Sequence, residues 1–140
     1  MTRRILNFAL CMAVALSVPV TAEAWRAWNR HEVLPVSQGV WEVVNEVGTG
    51  AQDYWCAIGD FAIRQLRTQA TQRIYIWRGV GPAVNRPGKK SVHFSLTPPP
   101  GVDTKPTVSL NVKHVGDNRN AMLARNHCTD RLGDRFFPFN

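Results

Sequence analysis

The chain has 140 residues, a formal charge of +7 and 44% apolar residues. That length leaves room for one domain with a modest core. Repeat arrays and low-complexity polymers are excluded, because no internal repeat or biased segment appears, and no stretch beyond residue 24 is apolar for long enough to span a bilayer.

The first residues, "MTRRILNFALCMAVALSVPVTAEAW", have the three parts of a secretory leader. Arg3 and Arg4 form the positive start, Ile5 to Val20 the apolar run, and Ala22-Glu23-Ala24 the small-residue site, with cleavage expected after Ala24. Residues 25–140 then form a single exported domain, periplasmic or secreted, with an irregular N-terminal lead-in and C-terminal tail. Loss of Arg3, Arg4 and Glu23 leaves 15 Lys and Arg against 9 Asp and Glu, a formal charge of +6. A basic exported protein meets anionic lipids, lipopolysaccharide and wall polymers. Cys11 leaves with the leader, so Cys56 and Cys128 remain. In an oxidising compartment two cysteines most simply form one disulfide, here across about 70 residues and worth about 4 kcal/mol in the chain-entropy model.

Residues 25–39 mix aromatics, charges and a proline and predict an extended lead-in. "VWEVVNEV", Val40 to Val47, is rich in β-branched residues and predicts a half-buried strand, with Trp41, Val43 and Val47 on one face and Glu42 and Glu46 on the other. "GTGAQ" breaks it, and the spacing of Thr49 and Gln52 suits a capping box. A helix is expected from Gly50 to Arg67, with Trp55, Ile58, Phe61, Ala62 and Leu66 as its apolar stripe. Asp53 near its start and Arg64 and Arg67 near its end suit the helix dipole. Trp41 and Trp55 are the expected core tryptophans.

"RIYIWRG" predicts a strand with Ile74 and Ile76 alternating against Arg73, Tyr75 and Trp77. A long basic connection, "VGPAVNRPGKK", follows. "SVHFSLT" predicts a strand with Val92, Phe94 and Leu96 inward and Ser91, His93 and Ser95 outward. "TVSLNVK" predicts another through Val108, Leu110 and Val112. A short helix is expected after Asp117, through "NRNAMLARNHC", and "TDRLGDRFFPFN" is an irregular tail. The fold class is therefore α+β: one main helix packed on a small antiparallel sheet in the order strand-helix-strand-strand-strand, with a short C-terminal helix. Cystatin-like folds share this order of elements, an analogy of topology that carries no function.

Two functional readings compete. "YWCA", Tyr54 to Ala57, resembles the Cys-bearing helices of papain-like cell-wall hydrolases of the CHAP type, in which a strand-borne histidine often precedes Val-Gly or Val-Ala. His114-Val115-Gly116 supplies that pattern here, so the resemblance implies Cys56 as nucleophile and His114 as base. Those families carry Asp or Ser beside the nucleophile and an apolar strand after the histidine, whereas "HVGDNRN" reads as a turn. With Thr49 as cap, Cys56 also lies beyond the first turn, where the dipole lowers a thiol pKa; with Asp53 as cap it lies within it.

No cofactor motif appears, and neither a phosphate loop nor a Gly-x-Ser-x-Gly or His-Glu-x-x-His element is present. His31, His93, His114 and His127 lack metal-ligand spacing, so no metal is expected.

The other reading is a binding surface. Arg73, Tyr75 and Trp77 share a strand, Arg78, Arg86, Lys89 and Lys90 crowd the next loop, and Arg64 and Arg67 end the preceding helix. Aromatics beside cations suit a glycan or an anionic polymer, and export makes nucleic acid the least expected partner. The Trp55-Cys56 pair, "RGVGP" (Arg78 to Pro82) and the late Cys128 resemble small exported proteins of Gram-negative bacteria. That resemblance spans Tyr54 to Cys128 and implies an exported, disulfide-linked domain with no known activity. The expectation is a non-enzymatic exported domain that binds an anionic polymer, a glycan or another envelope protein, with the oligomeric state open.

Overall fold

A computed structural model describes residues 23–136. The expected leader lies outside them except for Glu23 and Ala24, as do the last four residues of the expected tail. The elements run β1 (Trp25–Arg26), β2 (Glu32–Ser37), β3 (Val40–Val44), α1 (Ala51–Arg64), β4 (Arg73–Pro82), β5 (Lys90–Ser95), β6 (Asn118–Asn120) and α2 (Ala121–Phe136). The six strands form one antiparallel sheet in the order β1-β2-β3-β5-β4-β6. The fold is α+β, with α1 packed on the sheet and α2 packed on α1.

The helical stripe places the core. Trp55, Ile58, Phe61 and Ala62 of α1 meet Val33, Val43, Ile74, Ile76, Val92 and Phe94 of the sheet, all buried. Trp55 is edge-on to Phe94, 5.1 Å between centroids, and its indole N–H donates to the Leu110 carbonyl at 3.2 Å. Trp41 and Trp25 flank Phe61 at 5.6 and 5.4 Å. Each such aromatic pair adds about 0.5–1.5 kcal/mol beyond burial.

α1 starts one residue later than the expected cap. Gly50 is the N-cap, and the Asp53 carboxylate accepts its amide at 2.7 Å. Thr49 turns its hydroxyl back to the Glu46 main chain, 2.7 Å from both its N and its O. Cys56 is therefore the sixth helical residue, beyond the turn in which the dipole acts. On the far side of α1, Gly59 admits α2 so closely that a Cβ there would meet Ala124 Cβ at 2.8 Å. Along the same interface Cys56 and Cys128 form a disulfide, with Cα atoms 4.7 Å apart and a separation of 72 positions in sequence.

Four expectations change. The extended lead-in is not irregular but supplies β1 and β2, a hairpin that widens the sheet. "TVSLNVK" is not a strand: the outer edge of β4 is taken by Asn118–Asn120, and Val108 is fully exposed. The C-terminal helix continues past Cys128 to Phe136, through most of the expected irregular tail. Finally, Glu42, Ser91, His93 and Ser95 face away from α1, yet all are buried. The loop after β4 folds back over that face, so the sheet is covered on both sides.

Candidate functional site

The expected cation cluster is built into that covering loop. Glu42 of β3 is fully buried. Its carboxylate accepts from the Val84 N–H at 2.8 Å, the Asn85 N–H at 2.7 Å, the Asn85 side-chain amide at 2.9 Å and the Ser91 hydroxyl at 2.8 Å. Burial alone would push the Glu42 pKa up, but these donors outweigh it and hold the group below the ordinary carboxylate value. Arg86 grips Glu32 with two hydrogen bonds, at 2.8 and 3.2 Å. That grip outweighs burial and lowers the Glu32 pKa. Lys89 pairs with Glu46 at 3.0 Å. Arg78 donates to the Pro82 carbonyl and to the Ser91 carbonyl and hydroxyl, at 2.9 to 3.1 Å.

Beside Glu42, His93 Nε2 stands 3.6 Å from the carboxylate, too far for a hydrogen bond. Burial first, and the Arg78 charge second, push the His93 pKa down, with Glu42 opposing.

The expected row Arg73-Tyr75-Trp77 is broken by a bulge. Tyr75 pairs with Ser95 and Ile76 with Phe94, but Arg78, not Trp77, stands opposite His93. Arg73 and Lys90 are exposed, while Tyr75 and Trp77 are half-buried. Lys89 and Lys90 border a shallow groove of about 430 Å³ with Val80 and Pro82. The structure thus gathers Arg78, Arg86, Lys89 and Lys90 around one loop, with the first three committed to acceptors in the protein. Arg64 pairs with Asp60 at 3.1 Å and lies over the Trp25 ring. Arg67 is exposed at positive φ.

The thiol reading loses its nucleophile, since the Cys56 sulfur is bonded to Cys128. His114 is exposed, in the turn that leads into β6. Among the described residues no group of three His, Cys, Asp or Glu could hold a metal ion, and no helix is long and apolar enough to cross a membrane.

A larger cleft lies elsewhere, about 690 Å³ between the β1–β2 hairpin, the start of α1 and α2. Its wall includes Trp28, Arg30, Glu46, Thr49, His127 and the disulfide. Trp28 also lines a second, smaller cleft of about 240 Å³ with Met122 and Arg125.

The hairpin tip that carries Trp28 is held at three points. Its backbone N–H donates to Asp60 at 2.9 Å, the Asn29 side-chain amide donates to the Asp53 carbonyl at 2.9 Å, and the Arg30 amide closes the turn on the Ala27 carbonyl at 2.8 Å. Asp60 is fully buried and also accepts from Arg64 at 3.1 Å and Arg125 at 3.2 Å, which ties the hairpin to both helices. Yet the Trp28 side chain remains 54% exposed.

On the opposite wall His127 Nδ1 donates to the Asp130 carboxylate at 2.5 Å, and its Nε2 accepts from the Arg119 guanidinium at 3.3 Å. The Arg119 guanidinium lies 4.5 Å over Trp55, where burial lowers its pKa.

Sequence reasoning passed over Trp28, Arg30, Asp60 and His127. "WNR" held one local signal: an aromatic followed by Asn, a turn former, then a cation. Asp60 reads in sequence as an ordinary polar helix residue with Arg64 one turn on, and its other two partners, Trp28 and Arg125, come from distant segments. In comparison with known proteins, the chain matches no family model, no curated protein and no solved structure.

Proposed function

We propose that this chain is an exported binding domain of the cell envelope, tied into one unit by Cys56–Cys128, and that it takes its ligand in the cleft at Trp28. Trp28 carries the reading. Its backbone is anchored to buried Asp60 while its indole stands open on the wall shared by two clefts. A large apolar side chain on an anchored backbone brings less chain to order on binding, which favours a recognition role over a packing one. The leader-like N-terminus and the disulfide both support an extracytoplasmic place, periplasmic or secreted. The resemblance to small exported proteins with a Trp-Cys helix and a late cysteine agrees with it. The partner classes are those of a basic exported protein: an anionic envelope polymer, a glycan or another envelope protein.

Co-sedimentation of the oxidised protein with isolated envelope fractions tests this reading. The wild type should pellet. Trp28→Ala should lower the pelleted fraction about tenfold. The triple variant Arg86→Ser, Lys89→Ser, Lys90→Ser should pellet as the wild type does, because two of its three cations are paired internally. Pelleting that ignores Trp28 and follows the triple variant would move the site to the loop after β4.

A further inference from the structure

We infer that the cleft at Trp28 recognises a sugar bearing a carboxylate, stacked on the Trp28 indole and gripped by the Arg30 guanidinium. This rests on the binding reading above and names its ligand.

The first argument is charge accounting around the cleft. Asp53 already accepts the Gly50 amide at 2.7 Å, and Glu46 is paired with Lys89 at 3.0 Å. Arg26 donates to Glu32 at 3.4 Å and to the Arg30 carbonyl at 3.2 Å. The Arg30 side chain is exposed and has no hydrogen bond, ion pair or ring contact among the described residues. One rim cation is left over, and a guanidinium matches a carboxylate with two parallel hydrogen bonds. A phosphate dianion fits less well, because Glu46 and Asp53 lie on the same wall.

The second argument is the backbone of Arg30. Its φ is 69°, in the left-handed region, where a non-glycine residue costs about 1–2 kcal/mol. A glycine would close the same turn without that cost. What the arginine adds there is a cation at the cleft mouth, aimed from the residue that follows Trp28-Asn29.

The third is the shape and lining. Exposed apolar side chains on this wall are Trp28 and Val47. That is too little apolar surface for the core of a protein interface. A flat indole face suits the C–H face of a pyranose. Asn29, Glu46, Thr49 and His127 add polar side chains to the same lining.

The test is titration calorimetry of the oxidised protein with a tetrasaccharide of alternating glucuronate and N-acetylglucosamine, and with the same sugar after reduction of its carboxyls to alcohols. The acidic sugar should bind about tenfold tighter than the neutral one. Trp28→Ala should remove binding of both. Arg30→Gln should weaken the acidic sugar about tenfold and the neutral one by much less, so that the two affinities converge. Arg30→Gly, which relaxes the turn, should do the same. Equal affinities, an equal loss of both sugars in the Arg30 variants, or tighter binding of a phosphorylated than a carboxylated sugar would overturn the assignment. If neither sugar binds while pelleting still depends on Trp28, the ligand class alone falls; if pelleting is independent of Trp28 as well, the binding reading falls with it.

Discussion

Replacing Glu42 by alanine should be among the most damaging single changes in the sheet. The carboxylate is fully buried and takes four hydrogen bonds of 2.7 to 2.9 Å, two of them from the consecutive main-chain amides of Val84 and Asn85. Removing it strands those two N–H groups under the loop, at about 1–3 kcal/mol each. It also leaves His93 without the negative charge that opposes Arg78 beside it. Relaxation of the loop lets water recover part of the loss, so the net falls at about 3–5 kcal/mol, as for other broken buried charge networks. At roughly 4 °C per kcal/mol for a domain of this size, Tm drops by about 12–20 °C. Urea unfolding followed by tryptophan fluorescence measures the first figure. Hydrogen exchange at Val84 and Asn85 gives a local readout, because both amides should lose protection in the variant. Glu46→Ala is the control: that carboxylate is 41% exposed and paired with a Lys89 that is 42% exposed, so its loss should stay within about 1 kcal/mol. A Glu42→Ala loss below about 1 kcal/mol, with Val84 and Asn85 still protected, would refute the view that Glu42 anchors the loop.

Three further outcomes are expected. Cys56→Ser with Cys128→Ser should lower stability by about 4 kcal/mol, since the bond closes a 72-residue separation, and peptide mapping of the unreduced protein should find the two cysteines linked; free thiol at either site would contradict the fold. Gly59→Ala should destabilise by about 3 kcal/mol in the same unfolding assay, because the new Cβ meets Ala124 backbone and Cβ at 2.7–2.8 Å and α2 has to move away; a neutral result would mean the helices are farther apart. Stability should fall with pH in two stages. His93 is held below its ordinary 6.5 in the fold, so as pH drops under 6.5 the unfolded chain takes a proton that the folded one refuses. Glu32 and Glu42 are held below 4.5, so their stabilisation is present above that value and fades as pH falls through the lower folded values. Urea midpoints from pH 8 to 3 follow both stages, and His93→Gln should remove only the upper one; a flat midpoint between pH 7 and 5.5 would refute it.

What was legible in the sequence follows from which interactions are local. The stripe Trp55, Ile58, Phe61 and Ala62 repeats every three or four residues, so the helix and its buried face were readable. So was the disulfide, because with Cys11 assigned to the expected leader only Cys56 and Cys128 were left to pair. Alternation in "SVHFSLT" gave the strand and its inward residues Val92 and Phe94, but it predicted an open outer face. That failed because the cover comes from Ala83 to Lys89, whose attachment to Glu42 and Glu32 spans more than forty residues. "TVSLNVK" alternates as well as any strand here, yet the one edge it could take was filled by "NRN", which has no strand propensity of its own and is held by its register on β4. The cleft was hidden for the same reason. Trp28 matters through Asp60, which stands 32 positions away.

The positive charge counted from the sequence overstates the cations that face solvent unpaired. Arg86, Lys89, Arg64 and Arg125 each meet a carboxylate, and Arg78 is held by carbonyls and a hydroxyl. These cations fasten a covering loop and a second helix, which is why clustering in sequence pointed to the loop after β4 as a ligand surface. Among the exposed cations left without a partner among the described residues, Arg73, Lys90, Lys105 and Lys113 lie on the strands and loops away from the large cleft, and Arg30 lies on its rim. Trp28 is also the one tryptophan more than half exposed among the described residues. The pairing of aromatic and cation that suits a glycan is therefore present in this protein, but on the β1–β2 hairpin, where two residues separated by Asn29 are fixed by hydrogen bonds to α1 and by a strained turn. On the binding reading proposed above, that structural cost is met by what the surface recognises rather than by what it stabilises.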